Sequence, residues 1–187
     1  SYKSNSYDAP IVNVNTTGKI TGKIEKNDGA TIAIKSGIFT TPILPEWCAE
    51  GYAPYAFEDG TFGVEYLTVD DITIVDGAET EFVNQNTKTV GTLTYKRKIY
   101  DKDLYDLFVP FEIPVSELMQ LGFQVFYIND FRSFDNSGRE QLVLESVLIE
   151  DGILRANHPY LFRFVGDDIP TEGLVLTLEN TVLYSTN

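Results

Sequence analysis

Few side chains in this sequence stand in combinations that do chemistry. The one histidine, His158, lies in Ala156-Asn157-His158-Pro159. No serine, cysteine or metal-ligand set is spaced to partner it, so a loop position is expected rather than a general base. The one cysteine, Cys48, follows Trp47 in an apolar patch. It has no internal disulfide partner and is expected to pack as a small hydrophobe, not to act as nucleophile or ligand. Zinc-ligand spacings, phosphate-binding loops and glycine-rich dinucleotide turns are absent from the sequence. A glycosidase needs two carboxylates a few ångström apart, and 28 acidic residues are present, but abundance does not place two together. No catalytic residue is expected, and the chain is read as a non-enzyme.

Two sets of residues are candidates for binding. Asp130, Asp135, Asn136 and Glu140, with Gly138 for the turn, offer hard oxygen ligands of the kind calcium prefers, although their spacing departs from the EF-hand loop. The competing expectation is an ordinary hairpin tip. Asp167 and Asp168 repeat the idea with fewer ligands. Twelve Phe, eleven Tyr and one Trp can include a sugar-stacking platform, and Tyr52, Tyr55, Tyr100 and Tyr105 lie near expected loops where one would form. Most aromatics of a β protein are core, which is the alternative for these four. Arg97 and Arg163 fall inside strand patterns, where each is expected to bury its stem and pair with a carboxylate.

Composition bounds the partners. Fourteen basic against 28 acidic residues give a formal net charge of −14, which repels nucleic acid and anionic membrane surfaces at long range. No apolar run is long enough to cross a bilayer as a helix. Neither nucleic acid nor membrane insertion is therefore expected. A chain of 187 residues that is 43% hydrophobic can bury one larger core or two small ones. It begins without a methionine, at SYKSNSYDAP, and is read as a fragment or processed product.

The elements that must hold these residues are short strands. From Ala9 to Phe39, apolar pulses at Ile11-Val12-Val14, Ile20 and Ile24, and Ile32-Ile34-Phe39 are separated by turn formers. They are too short for helices and fit either antiparallel hairpins or rungs of a right-handed β-solenoid whose next coil lies before Ser1. Pro45 is expected to open a short helical turn over Glu46 to Glu50 with Trp47 inward, before strands at Tyr52 to Phe57 and Thr61 to Tyr66 around Glu58-Asp59-Gly60. Leu67 to Thr92 reads as a solvated acidic connector holding one short strand, Ile72-Thr73-Ile74, with the domain boundary near Leu67. Leu93, Tyr95, Arg97 and Ile99 alternate with polar residues, a half-buried strand.

Next, Leu107 to Ile113 is expected as one strand covered on both faces, with an edge or bulge at Pro110. Ser116 would cap a short helix ended by Gly122. Strands follow at Phe123 to Phe131, Gln141 to Ile149, Ile153 to Arg155, Tyr160 to Val165 and Leu174 to Tyr184, with a loop over Arg132 to Glu140. The fold expected is all-β: a short β-solenoid-like or hairpin unit over residues 1–67, followed by a jelly-roll-like β-sandwich over 68–187.

Two stretches resemble known modules. SGIFTTPILPEWCAEGY followed by EDGTFGV is similar to a module of surface and virion-associated proteins from gut bacteria and their phages, one that often closes a β-solenoid. The matching residues are Ser36, Gly37, Phe39, Ala49, Gly51, Tyr52, Asp59, Gly60, Thr61, Phe62 and Val64, while Ile38 replaces the module's second glycine. LTYKRKI, LYDLFVPFEIP, FRSFDNSGRE and ILRANHPYLFRF resemble a module frequent in secreted and cell-surface proteins of Bacteroidota. That resemblance is carried by Tyr95, Arg97, Pro110, Phe111, Asp135, Gly138, Ala156, Asn157, Pro159, Tyr160 and Leu161, with Tyr105 where the module often has Trp.

The resemblances imply a secreted or cell-surface, non-catalytic module for adhesion, ligand binding or assembly, with a glycan or host-surface protein as partner. The alternatives are a phage virion protein, fibre or capsid-decorating, working as a homo-oligomer or assembly, and a carbohydrate-binding module or glycan-active enzyme. No cofactor is expected apart from the calcium option.

Overall fold

The glycine-punctuated pulses at the start of the chain stack in parallel. In the computed structural model, which describes residues 10–77, 84–135 and 140–186 and only the backbone of 131–135 and 140–142, β1 (Ile11–Val14) pairs in parallel with β3 (Thr31–Ile34). β2 (Lys19–Ile20) does the same with β4 (Ile38–Phe39). Val12 thus sits on Ile32, Val14 on Ile34 and Ile20 on Phe39; the Val14–Ile34 and Ile20–Phe39 pairs pack on the core as inward ladders of a solenoid do, while Val12 is half exposed. The corners are tied by side chains. Ser36 Oγ donates to Asn15 Oδ1 at 2.7 Å and to the Thr16 carbonyl at 3.0 Å; Thr40 Oγ1 accepts from Gly22 N–H and Thr41 Oγ1 donates to Gly22 O. Gly37, at φ 142, turns the chain where a Cβ would strike the Phe39 ring. The register resolves the solenoid-or-hairpin alternative in favour of solenoid-like stacking.

This first unit, Ser1–Thr68, changes direction after the stack. A 3-10 turn over Pro45–Trp47 ends at Cys48, earlier than the expected Glu50, with Trp47 half-buried on the core. The hairpin of β5 (Tyr52–Ala56) and β6 (Phe62–Tyr66) then adds antiparallel to β4 through Phe39 and Phe62. Its turn is held by Asp59, whose Oδ1 accepts from the N–H and hydroxyl of Thr61 at 2.9 and 2.6 Å.

The second unit, Val69–Asn187, is a nested ribbon. Its strands are β7 (Thr68–Asp76), β8 (Lys88–Arg97), β9 (Tyr105–Leu107), β10 (Ile113–Pro114), β11 (Phe123–Asp135), β12 (Glu140–Ile149), β13 (Ile153–Leu154), β14 (Tyr160–Phe164) and β15 (Leu174–Leu183). β8 pairs with β15, β9 with β14, β10 with β13 and β11 with β12, all antiparallel. Such nesting, a long hairpin rolled on itself, is the jelly-roll arrangement. The sheets β12-β11-β14-β9 and β15-β8-β7 face one core in which Leu93, Tyr95, Phe111, Phe123, Phe162 and Leu174 are at most 2% exposed.

A polar tie joins the two sheets at one edge. Tyr95 Oη donates to Asp76 Oδ2; Arg97 Nη1 donates to the same oxygen at 2.6 Å, and Arg97 Nη2 to Asp106 Oδ1 at 2.9 Å. The guanidinium also lies 5.7 Å from the Phe162 ring centre and 6.0 Å from that of Tyr105. Burial, reinforced by the Asp76 carboxylate, pushes the Tyr95 phenol far above its ordinary range. Burial alone would lower Arg97, but its bonds to Asp106 and Asp76 more than offset that and hold it charged.

Several local expectations change. Residues 68 to 76 are not a connector but an edge strand beside β8, and Asp76 at its end is what Arg97 and Tyr95 hold. The single strand expected over Leu107 to Ile113 is broken: after β9 only a bridge from Phe111 to Leu183 precedes β10. Phe108 is 57% exposed there while Pro110 is buried, so the second face is covered only in part; Pro110 has no N–H to donate, and its carbonyl accepts from Tyr184 N–H. The helix α1 (Val115–Gln120) is capped at Pro114, without a side-chain bond. Ser116 falls inside its first turn, and Gly122 at φ 83 ends it. β11 and β12 run through most of the expected 132–140 loop. Arg163 bonds the Gln124 side-chain oxygen and lies 5.4 Å from the Phe126 ring centre, and among the described residues it pairs with no carboxylate.

Candidate functional site

The turn after β12 and the loop before β14 are built to hold a cleft. β12 ends at Ile149, Glu150 and Asp151 follow, and Gly152 at φ 91 turns the chain back. β13 returns to pair with β10, and Gly152 O accepts from Val115 N–H at the start of α1. The next loop is pinned at Asn157, which adopts φ 53, a conformation asparagine tolerates better than most residues. Its N–H donates to Val109 O at 2.8 Å and its Nδ2 to Ser185 O at 2.9 Å. His158 then folds back over Tyr160, ring centres 4.9 Å apart, and the buried Tyr160 hydroxyl accepts from Arg155 N–H at 2.9 Å. Between these segments and Tyr127 of β11 lies a cleft of about 560 Å³ that Leu148 and Ile149 also line, within the usual size of small-ligand sites.

What the cleft offers is a set of uncommitted polar groups. Among the described residues no ion pair or side-chain hydrogen bond engages the Arg155 guanidinium or the Glu150 and Asp151 carboxylates. One cation and two anions thus line it, beside an aromatic ring, Tyr127, that is 39% exposed. The His158 Nδ1 lies 3.2 Å from Pro159 O. In the tautomer that donates this bond, Nε2 is an acceptor. Donors, acceptors and a ring face on a pinned loop suit recognition of a polar ligand.

The residues singled out from sequence are distributed otherwise. Tyr52 and Tyr55 lie on β5 of the first unit, three residues apart and so on opposite faces of the strand. Tyr52 packs on Tyr66 at 5.0 Å and Tyr55 on Phe57 at 5.1 Å. In the second unit Tyr105 is committed to structure: its hydroxyl accepts from the N–H groups of Tyr100 and Asp101 and donates to Asp101 Oδ1. Its ring is covered by Phe162 and Arg97. Tyr100 is 78% exposed. Tyr52 and Tyr55 thus belong to the first unit and Tyr100 and Tyr105 to the second.

The calcium set divides in the same way. The ladder puts Asp135 opposite Glu140, but Asp130 opposite Glu145, five residues and roughly 17 Å along the strand. Asp130 is therefore not brought to that hairpin end; the side chains of Asp135 and Glu140, and all of Asn136, lie outside the described residues. No group of three His, Cys, Asp or Glu able to hold a metal occurs among the described residues. Burial, then the Glu46 carboxylate, raises the Cys48 thiol above its ordinary range, so it stays protonated.

Sequence reasoning placed His158 in a loop and did not connect it with Arg155, Glu150, Asp151 or Tyr127. The first four stand within nine positions, either side of the strand Ile153–Leu154. That density of polar groups beside Asp151-Gly152 was the available signal; Tyr127 joins them only through the β11–β12 ladder. No helix among the described residues is long and apolar enough to cross a membrane. Compared with known protein families, curated proteins and solved structures, the chain matches none of them.

Proposed function

We propose that this chain is a non-catalytic extracellular module, secreted or displayed at a cell surface, that serves adhesion, ligand binding or assembly. The observation that carries the reading is the cleft: Arg155, Glu150 and Asp151, without side-chain partners among the described residues, stand beside exposed Tyr127 and next to a loop anchored at Asn157. Its partner is a glycan or a host-surface protein; a net charge of −14 argues against nucleic acid. The resemblance of the second unit to a Bacteroidota surface module points the same way. The test is binding of labelled chain to mucus-coated surfaces and epithelial cells. Saturable binding that falls with Arg155→Ala, the fold intact, is expected; no binding, or binding indifferent to this substitution, overturns the reading. Hydrolysis of a polysaccharide, lost on changing one carboxylate, would overturn its non-catalytic part.

A second reading, a phage virion fibre or capsid-decorating protein, is favoured by one feature of the first unit. Among the described residues the parallel stack ends at an apolar cavity of about 280 Å³ lined by Val12, itself 51% exposed, with Val14, Ile20 and Ile24. Such an end invites another coil or another copy. Symmetric particles or a homo-oligomeric mass in solution would support it, and a monomer that binds no host surface would count against it.

A further inference from the structure

The cleft between the β12–β13 turn and the Asn157 loop has a composition that selects among ligands. We infer that it binds a neutral oligosaccharide, with a sugar ring on Tyr127 and its hydroxyls between Arg155 and the Glu150 and Asp151 carboxylates; this rests on the binding-module reading above. Sugar hydroxyls both donate and accept, and need partners of both kinds side by side. A guanidinium presents a planar fork of donors to neighbouring hydroxyl oxygens, and carboxylates accept from the hydroxyl protons. All three groups line the cleft and are without side-chain partners among the described residues. Sugar rings also carry a face of C–H groups that packs on an aromatic ring, and Tyr127 is the exposed one here.

The other ligand classes fit less well. An anion meets two carboxylates for one guanidinium, in a chain of net charge −14. A metal ion finds no group of three ligating side chains among the described residues and meets Arg155 beside the two carboxylates, and an apolar ligand would leave all three charged groups desolvated without partners. Leu148 and Ile149 are the only aliphatic side chains lining the cleft. The buried Tyr160 hydroxyl already accepts from Arg155 N–H and keeps its own proton to give. Anchoring of the loop through Asn157 to Val109 and Ser185 means that little order has to be created on binding.

The test is calorimetric titration of the whole chain with chitotriose, cellotriose, mannotriose and, as the anionic match, trigalacturonate. At least one neutral trisaccharide should bind, about tenfold or more tighter than trigalacturonate, and Tyr127→Ala and Arg155→Ala should each weaken it about tenfold. Both side chains are exposed, so circular dichroism should show an unchanged fold, and Asp151→Asn gives a third variant of the same shape. Binding of trigalacturonate alone, of no sugar, or of a neutral sugar indifferent to all three substitutions overturns the inference. If no sugar binds but capture on host surfaces still depends on Arg155, the module reading stands and only the ligand class fails.

Discussion

Replacing Arg97 by methionine keeps most of the stem and deletes the charge that ties the two sheets of the second unit. Two carboxylates lose a partner, but in different surroundings: the Asp76 side chain is 30% exposed and that of Asp106 80%, with Arg97 itself at 16%. A hydrogen bond to a charged group contributes roughly 1.5–3 kcal/mol. Asp76 keeps its bond from Tyr95, so its share falls at the low end, about 1.5 kcal/mol. The solvent-screened Asp106 pair contributes about 0.5 kcal/mol, and the guanidinium over the Phe162 and Tyr105 rings about 1 kcal/mol. Arg97→Met should therefore cost about 3 kcal/mol. With a slope of about 2 kcal/mol/M, that lowers the urea midpoint by roughly 1.5 M.

The sharper readout is a pair of double-mutant cycles, followed by far-ultraviolet circular dichroism, with Trp47 fluorescence as a separate monitor of the first unit. Arg97 should couple to Asp76 by about 1.5 kcal/mol and to Asp106 by less than about 0.5 kcal/mol. Equal couplings, or a larger one to Asp106, would refute the assignment of the tie to the half-buried Arg97–Asp76 pair.

Three further outcomes follow from single residues. Tyr95, held protonated by burial and Asp76, contributes stability that is complete below its unfolded pKa near 10 and is lost as pH rises above it. Alkaline unfolding beginning near that pH should be blunted in Tyr95→Phe, and an unchanged alkaline profile would contradict this. Asp59, lowered by its bonds from Thr61, contributes stability present above the ordinary aspartate range and lost as pH falls through its lowered folded value. The Thr61 amide resonance should titrate with a midpoint below about 3.9; a midpoint at or above it would remove the lock from the β5–β6 turn. Gly173 sits at φ 74 with its Cβ direction aimed into Arg97 O. Gly173→Ala should cost about 2–3 kcal/mol by thermal unfolding, combining left-handed strain with a backbone clash, and a cost below about 0.5 kcal/mol would contradict that geometry.

Much of the fold was legible where one face alone is buried. Leu93 and Tyr95 alternate with Thr92, Thr94 and Lys96, and the strand follows the alternation. Legibility failed where burial is set by distant partners. Val109, Phe111 and Ile113 are all buried, but Val109 and Phe111 lie outside named strands because their neighbours are the Asn157 loop and the end of β15 rather than one ladder. Parallel against antiparallel pairing of the first pulses was equally hidden, since local periodicity is the same in both; the offset between Val12 and Ile32 is a long-range fact. The candidate site was missed for a similar reason. His158 was weighed as a catalyst and Tyr105 as a platform, each by residue type, while the cleft depends on a pinned loop meeting Tyr127 across a ladder.

Binding at the cleft is tested most directly by where a bound partner touches the chain. Hydrogen exchange followed by mass spectrometry, on the whole chain free and captured on a mucus-coated surface, reads this without prior choice of ligand. Slowed exchange is predicted in peptides covering Phe126 to Ile128 and Leu148 to Tyr160, with Ile11 to Phe39 unchanged. Slowed exchange confined to Ile11 to Phe39, or spread evenly with no change at Arg155 and His158, would contradict the cleft as the binding site.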